Sequence, residues 1–169
     1  MSLRTRLIAV LLGLWAGTAM AATTTGNLNV TATVNATCSV ATSPVAFGVY
    51  DPTSATPTDA SGAVTVTCTA GTTYSIALDA GGNESVAGDP TTRRMLANTT
   101  DYLPYALYLD SGHATIWGDA GGGSVNPTSG TFTGDGTAQG NTVYGRIAPG
   151  QYVAPGAYSD TVVATVTYN

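Results

Sequence analysis

The residues able to do acid–base or nucleophilic work are few. One histidine is present, His113, in Asp110-Ser111-Gly112-His113, and Glu84 is the one glutamate. Ser, His and Asp crowded into one tight turn are a poor start for a hydrolase triad. The base must sit between nucleophile and orienting acid, with an oxyanion hole beside them, and no Gly-x-Ser-x-Gly elbow occurs. These four residues read as turn formers. The acidic stretches Asp79 to Glu84, and Asp119 with Asp135, offer oxygen ligands of the kind calcium takes, but EF-hand spacing is absent and they read as solvated loops. Arg93-Arg94 is too short a basic patch for more than solubility or a local ion pair. Tyr50, Tyr102, Tyr105, Tyr108, Trp117 and Tyr152 could stack on sugars, although strand aromatics more often fill cores or pair across strands. No metal ligand set, cofactor motif or catalytic residue stands out, and the chain reads as a protein that is not an enzyme.

Composition narrows the classes further. The chain has 169 residues, 43% hydrophobic and 9% charged, with no lysine. Average usage is about a quarter charged. Phosphate contacts need basic residues, so nucleic acid is excluded as a partner. Coiled coils need charged flanking positions, and disorder needs high charge with low hydrophobicity. The size is that of one domain with a sizeable core.

Residues 1–21 read as an export signal. Arg4 and Arg6 precede the apolar run Leu7 to Trp15, and Ala19-Met20-Ala21 is a small-x-small cleavage site, so the mature chain would start at Ala22. The run is shorter than the roughly 20 residues of a membrane helix, which disfavours the alternative of an uncleaved anchor. Losing both arginines moves the net charge from −5 to −7. Cys38 and Cys68 remain, and an even pair in an oxidising compartment predicts a disulfide, the alternative being two buried thiols.

The elements are strands. Leu28 to Val40 alternates for thirteen residues, with Leu28, Val30, Ala32, Val34, Ala36, Cys38 and Val40 on one face. Further strands are expected at Ala63 to Thr69, Tyr74 to Leu78, Tyr102 to Asp110 (an edge or bulge at Pro104), Ile116-Trp117 and Thr142 to Ile147. The last, Tyr158 to Tyr168, puts Tyr158, Val162, Ala164, Val166 and Tyr168 on one face. Residues 51–62 and 119–140 read as loops. No helical stripe is convincing, and many short strands with frequent turns imply a sandwich or barrel. The first run exceeds usual strand length and the last strand runs to Asn169. A spare strand at one end and an open edge at the other suit complementation between copies, against the alternative of one bent strand in a complete monomer.

Several blocks carry a resemblance. They are Phe47-Gly48-Val49-Tyr50-Asp51-Pro52, then Tyr105 to Asp110 leading to Trp117-Gly118, then Val143-Tyr144-Gly145-Arg146-Ile147 with Pro149-Gly150-Gln151 and Gly156 to Val162. Together they resemble the spore coat protein U family, the subunits of archaic, Csu-type chaperone–usher pili. Ala148-Pro149-Gly150 stands where members often have Pro-Ala-Gly. The resemblance implies an incomplete immunoglobulin-like β-sandwich, residues 35–169, lacking its last strand and completed by donor-strand exchange. Residues 22–34, with Leu28, Val30, Ala32 and Val34 inward, would be the donor, and Tyr158 to Tyr168 the acceptor edge. Expected partners are other copies or related pilins, a periplasmic chaperone and an outer-membrane usher. Expected location is the cell surface, as a fibre for attachment and biofilm formation. A secreted spore-coat-type protein and a stand-alone carbohydrate-binding adhesin are the alternatives.

Overall fold

A computed structural model describes residues 19–119 and 129–169. Most of the expected export signal, and residues 120–128 of the expected 119–140 loop, lie outside the described residues. The chain divides into a unit ending at Thr33 and a unit from Val34 to Asn169. In the first, residues 19–33 form no regular element, and Leu28 and Val30 are 87% and 86% exposed.

Among the described residues, the regular elements of the second unit are strands and one 3-10 turn, Pro90–Thr92. The strands are β1 (Cys38–Ser43), β2 (Thr58–Cys68), β3 (Thr73–Leu78), β4 (Arg94–Ala97), β5 (Asp101–Pro104), β6 (Ala106–Tyr108), β7 (Phe132–Thr133), β8 (Gln139–Ile147) and β9 (Ala164–Tyr168). One sheet has the order β1-β2-β8-β6, a second has β7-β3-β9, and β4 pairs with β5 as a hairpin. Every pair is antiparallel. Period two decides what each strand buries. Val64, Val66 and Cys68 of β2, Tyr74, Ile76 and Leu78 of β3, and Val143 and Ile147 of β8 point into one core, joined by Leu103, Tyr105, Leu107 and Trp117. Gly145 takes its place on the inner face of β8 because a side chain there would run into Val45 and Phe47, which lie across it.

Several strands differ from their sequence outlines. Of the alternating run Leu28 to Val40, only Cys38 onward is paired. Val34, still 79% exposed, precedes the ladder. The expected strand Tyr102 to Asp110 divides at Tyr105, with β5 in the hairpin and β6 in the four-stranded sheet. The Tyr105 N–H bonds the Arg93 carbonyl, the next step of the β4–β5 register, and from Ala106 the chain pairs with β8 instead. Ile116 contributes a single bridge to Tyr108 rather than a strand. Thr58 to Gly62 and Phe132-Thr133, expected in loops, are strand. The final ladder starts at Ala164, six residues after Tyr158.

Cys38 and Cys68 sit opposite each other in the β1–β2 register and form a disulfide. Closing their loop, 30 residues apart, stabilises by about 3–4 kcal/mol in the chain-entropy model. The Cys38→Ala/Cys68→Ala double variant should lose about that much in a urea titration, and the exported protein should weigh two hydrogens less than its reduced form. Free thiols in exported material would contradict this.

The loops are fixed by a repeated device. Asp51, Asp89 and Asp135 each accept the N–H and hydroxyl of the threonine two positions on, Thr53, Thr91 and Thr137, at 2.7–2.9 Å. These threonine hydroxyls hold the three carboxyls below the ordinary carboxylate range, as the Arg146 guanidinium does for Asp59. A depressed carboxyl adds stability that is complete above its unfolded value, about 3.9, and is lost as pH falls through the folded value. The melting temperature should therefore hold between about pH 8 and 5 and fall below about pH 4. A decline already under way between pH 7 and 5 would contradict that assignment.

Candidate functional site: an open apolar groove between two sheet edges

β1 ends the four-stranded sheet and β9 ends the three-stranded one. Both present an outer edge. Asn169 N–H bonds the Thr73 carbonyl and Asp79 N–H bonds the Val163 carbonyl. In an antiparallel ladder the bonding direction alternates. Odd-numbered residues of the last segment therefore turn their backbone to β3, and Val162, Ala164, Val166 and Tyr168 turn theirs to the open side. Tyr158, Val162, Ala164 and Val166 also pack against the core, whereas Tyr168 is exposed.

Between the edges lie two abutting cavities. One, of about 410 Å³, is walled by Thr42 to Val45 on one side and Tyr158 to Ala164 on the other, over Val64, Leu78, Leu107 and Val143. The next, of about 680 Å³, continues between Val45 to Tyr50 and Val153 to Tyr158, over Leu103 and Ile147. Val45, Phe47, Met95 and Tyr158 belong to both, so the two make one long groove. Its floor is the hydrophobic core itself. It is a site for burying a strand's apolar face and pairing its backbone.

A polar cluster holds the Tyr158–Ala164 wall extended although it lacks a strand partner on the groove side. Asp160 accepts the Tyr105 hydroxyl at 2.7 Å, Gly82 N–H at 3.0 Å and the Asn83 amide at 2.9 Å. Asp79 accepts Val163 N–H and Gly81 N–H through one carboxylate oxygen, both at 2.9 Å. Buried Arg93 donates to the Leu78 and Asp79 carbonyls. Burial pushes the Tyr105 hydroxyl well above its usual range, so it stays a donor to Asp160, and burial lowers the Arg93 guanidinium. Gly81, at φ +84°, is needed here because a Cβ would lie 2.2 Å from the Asp160 carboxylate. Sequence reading missed this cluster. Asp79 and Arg93 stand 14 positions apart and Tyr105 and Asp160 stand 55 apart, with no motif linking them.

The Asp110–His113 turn is tied up locally. Asp110 accepts Ala114 and Thr115 N–H groups, which hold its carboxyl below the ordinary range. His113 stands edge-on to Tyr108, with Nε2 3.8 Å from Asp59. Asp59 in turn accepts from Arg146 Nε and Nη2, at 2.6 and 2.7 Å. Arg94 lies over the Tyr102 ring, and Tyr74, Tyr105 and Trp117 are core. Among the described residues no helix is long and apolar enough to cross a membrane.

The model of the Spore Coat Protein U domain matches residues 24–165. The chain belongs to this family. Protein U of Myxococcus xanthus is a relative, 40% identical over 162 residues, which cover 89% of this chain and 88% of that one. Among solved structures, the chain is similar to the CsuC–CsuE chaperone–tip adhesion subunit pre-assembly complex from archaic chaperone–usher Csu pili of Acinetobacter baumannii. The TM-score is 0.55 at 22% identity, covering 79% of this chain. This chain spans 40% of the length of that one. At such identity the likeness gives the fold: an immunoglobulin-like sandwich, here lacking a strand between β1 and β9. The sequence blocks that carried the resemblance fall where the groove is built, since Phe47, Tyr50 and Tyr158 line it and Gly145 makes room for Phe47.

Proposed function

We propose that the protein is a structural subunit of a chaperone–usher surface fibre, polymerised by donor-strand complementation. The observation that carries this reading is the apolar groove open between two strand edges, in a chain whose own segment before β1 displays Leu28, Val30 and Val34 to solvent. In the proposal, residues 1–21 direct export and residues 22–34 donate a strand. The Val162 to Tyr168 edge receives the equivalent segment of the next copy, pairing main chains while alternate side chains fill the groove. Such heterologous contacts do not close, so they propagate as filaments. A periplasmic chaperone covers the groove before assembly, an outer-membrane usher secretes the fibre, and the fibre serves attachment and biofilm formation. The solved complex supports the chaperone step, because it joins a chaperone to a pilus subunit whose fold this chain shares. A secreted coat is the second reading, favoured by the family description and the 40% identity to Protein U.

Expression of residues 35–169 alone tests the groove. Without a chaperone or donor peptide it should aggregate or be degraded, since an exposed apolar groove and unpaired edges invite association. Co-expressed chaperone should rescue it. A monomeric, cooperatively melting product would contradict the reading. Electron microscopy of cells with and without the gene separates fibre from coat.

A further inference from the structure

Beyond its expected leader the chain has ten carboxylate side chains, no lysine and three arginines, Arg93, Arg94 and Arg146. All three arginines line one cavity of about 370 Å³, and no aspartate or glutamate lines it. Tyr105 is the one residue this cavity shares with the groove. Side chains of one parity share a face of a strand. Arg146, opposite Ala106 in the β6–β8 register, therefore lies on the face turned away from Leu107, Val143 and Ile147 of the core. The loop before the 3-10 turn closes the cavity's other side. Ser85 N–H bonds the Thr92 carbonyl and Val86 N–H the Thr92 hydroxyl, both at 3.1 Å. Folding thus brings Arg146 to the Arg93-Arg94 pair, and clustered positive charge on an acidic chain draws anions to that point.

The three guanidinium groups are not equally committed. Arg146 gives Nε and Nη2 to the Asp59 carboxylate, which balances its charge. Arg93 is buried and donates to the Leu78 and Asp79 carbonyls, with the carboxylates of Asp79, Asp119 and Asp160 near enough to act on its charge. Arg94 donates to carbonyls, that of Asn83 at 2.9 Å and that of Glu84 at 3.1 Å, and its guanidinium lies 3.9 Å over the Tyr102 ring. Carbonyls and a ring face fix a guanidinium in place without cancelling its charge, and two bonds leave three of its five N–H donors over. The cavity therefore holds one uncancelled positive charge on a braced side chain. That suits a monoanion better than a phosphate, which carries about −1.5 to −2.

The volume falls within the roughly 300–1,000 Å³ of small-molecule sites, room for a ring rather than an ion. Ser85 and Tyr108 bring hydroxyls that bond no other described group. Gln151 brings an amide whose Nε2 is taken by the Pro104 and Ala148 carbonyls, so its free oxygen is an acceptor. Free hydroxyls and an amide oxygen match the hydroxyls of a sugar. We propose that this cavity binds an acidic sugar, a ring bearing a single negative charge as a carboxylate or a sulfate ester, with Arg94 on the charge and Tyr108, Ser85 and Gln151 on the hydroxyls. The site stands apart from the donor-strand reading and does not depend on it.

Isothermal titration of the full exported chain, purified with whatever protein accompanies it, tests the site. The probes are the trisaccharide of galacturonate, a sulfated galactose trisaccharide and uncharged galactotriose. At least one charged sugar should bind at millimolar concentration or below, about tenfold or more tighter than the neutral one, and the one that binds identifies the acid. Arg94→Gln should weaken that binding about tenfold or more, and Arg94→Lys less, because lysine keeps the charge without the planar fork. Tyr108→Phe removes a hydroxyl that no described group uses. It should weaken binding several-fold at an unchanged melting temperature, which keeps the test decisive if Arg94→Gln fails to fold. No binding of either charged sugar, equal binding of the neutral one, or an affinity that Tyr108→Phe and a folded Arg94→Gln both leave unmoved overturns the site. None of these results bears on the fibre reading.

Discussion

Val30→Asp should abolish polymerisation while leaving the chaperone-bound subunit folded. Val30 is 86% exposed in its own chain, so the substitution removes no contact there and folding is untouched. In the proposed donor-strand complex the same side chain would enter a groove whose floor includes Val64, Leu107 and Val143. Burying one valine is worth about 1.5–3 kcal/mol, and an unpaired carboxylate in such a site costs more than that. Each 1.4 kcal/mol is about tenfold in affinity, so fibre yield should fall about a hundredfold or more. Thr31→Asp places the same charge on the opposite face of the period-two segment and should be far milder. Fibre yield by electron microscopy, with recovered subunit–chaperone complex as the folding control, separates the two. Equal effects, or normal fibres from Val30→Asp, would show that residues 22–34 are not the donor or are read in the wrong register.

Trp117→Ala should be the most damaging core substitution. Trp117 is the largest fully buried side chain among the described residues. It joins the sheets, its backbone N–H bonding the Leu107 carbonyl at 2.9 Å and its indole Nε1 donating to the Ile76 carbonyl at 3.0 Å. Truncating a buried tryptophan costs about 3–5 kcal/mol, a large share of the 5–15 kcal/mol typical of a whole domain. Trp117→Phe should cost distinctly less. The Ile76 carbonyl keeps a second donor, Ser129 N–H at 2.9 Å, so the loss is mainly the cavity. Urea titration of the protein complemented with a peptide of residues 25–34 measures both, and soluble periplasmic yield should follow the same order. Similar losses for Ala and Phe would mean that the indole hydrogen bond, not volume, holds the sheets together.

The fold class was legible because period two is written in single segments. Val64, Val66 and Cys68 alternate with threonines, as do Ala164 and Val166, and no tertiary information is needed to see which face is apolar. The pairing of the two cysteines was legible for a similar reason, since the expected leader implies an oxidising compartment in which an even pair of cysteines forms a bridge. Strand limits were less so. Leu28 to Val40 alternates without interruption, yet pairing starts at Cys38. Alternation records which face can be buried, and whether a neighbour's backbone is present is decided elsewhere in the chain. The same holds for Tyr158 to Val162, which keep inward and outward faces ahead of the β9 ladder.

The sequence by itself determined an all-strand class of low charge, its core faces, and an alternating apolar segment leading into Cys38. Only the tertiary structure decided where the opening lies, between β1 and β9 over Val64 and Val143. Only it assembled Asp79, Arg93, Tyr105 and Asp160 to brace that opening's wall. The physical reason is range. Side-chain alternation is a property of adjacent residues, whereas a groove and its brace are made by residues tens of positions apart, brought together by which strand lies beside which.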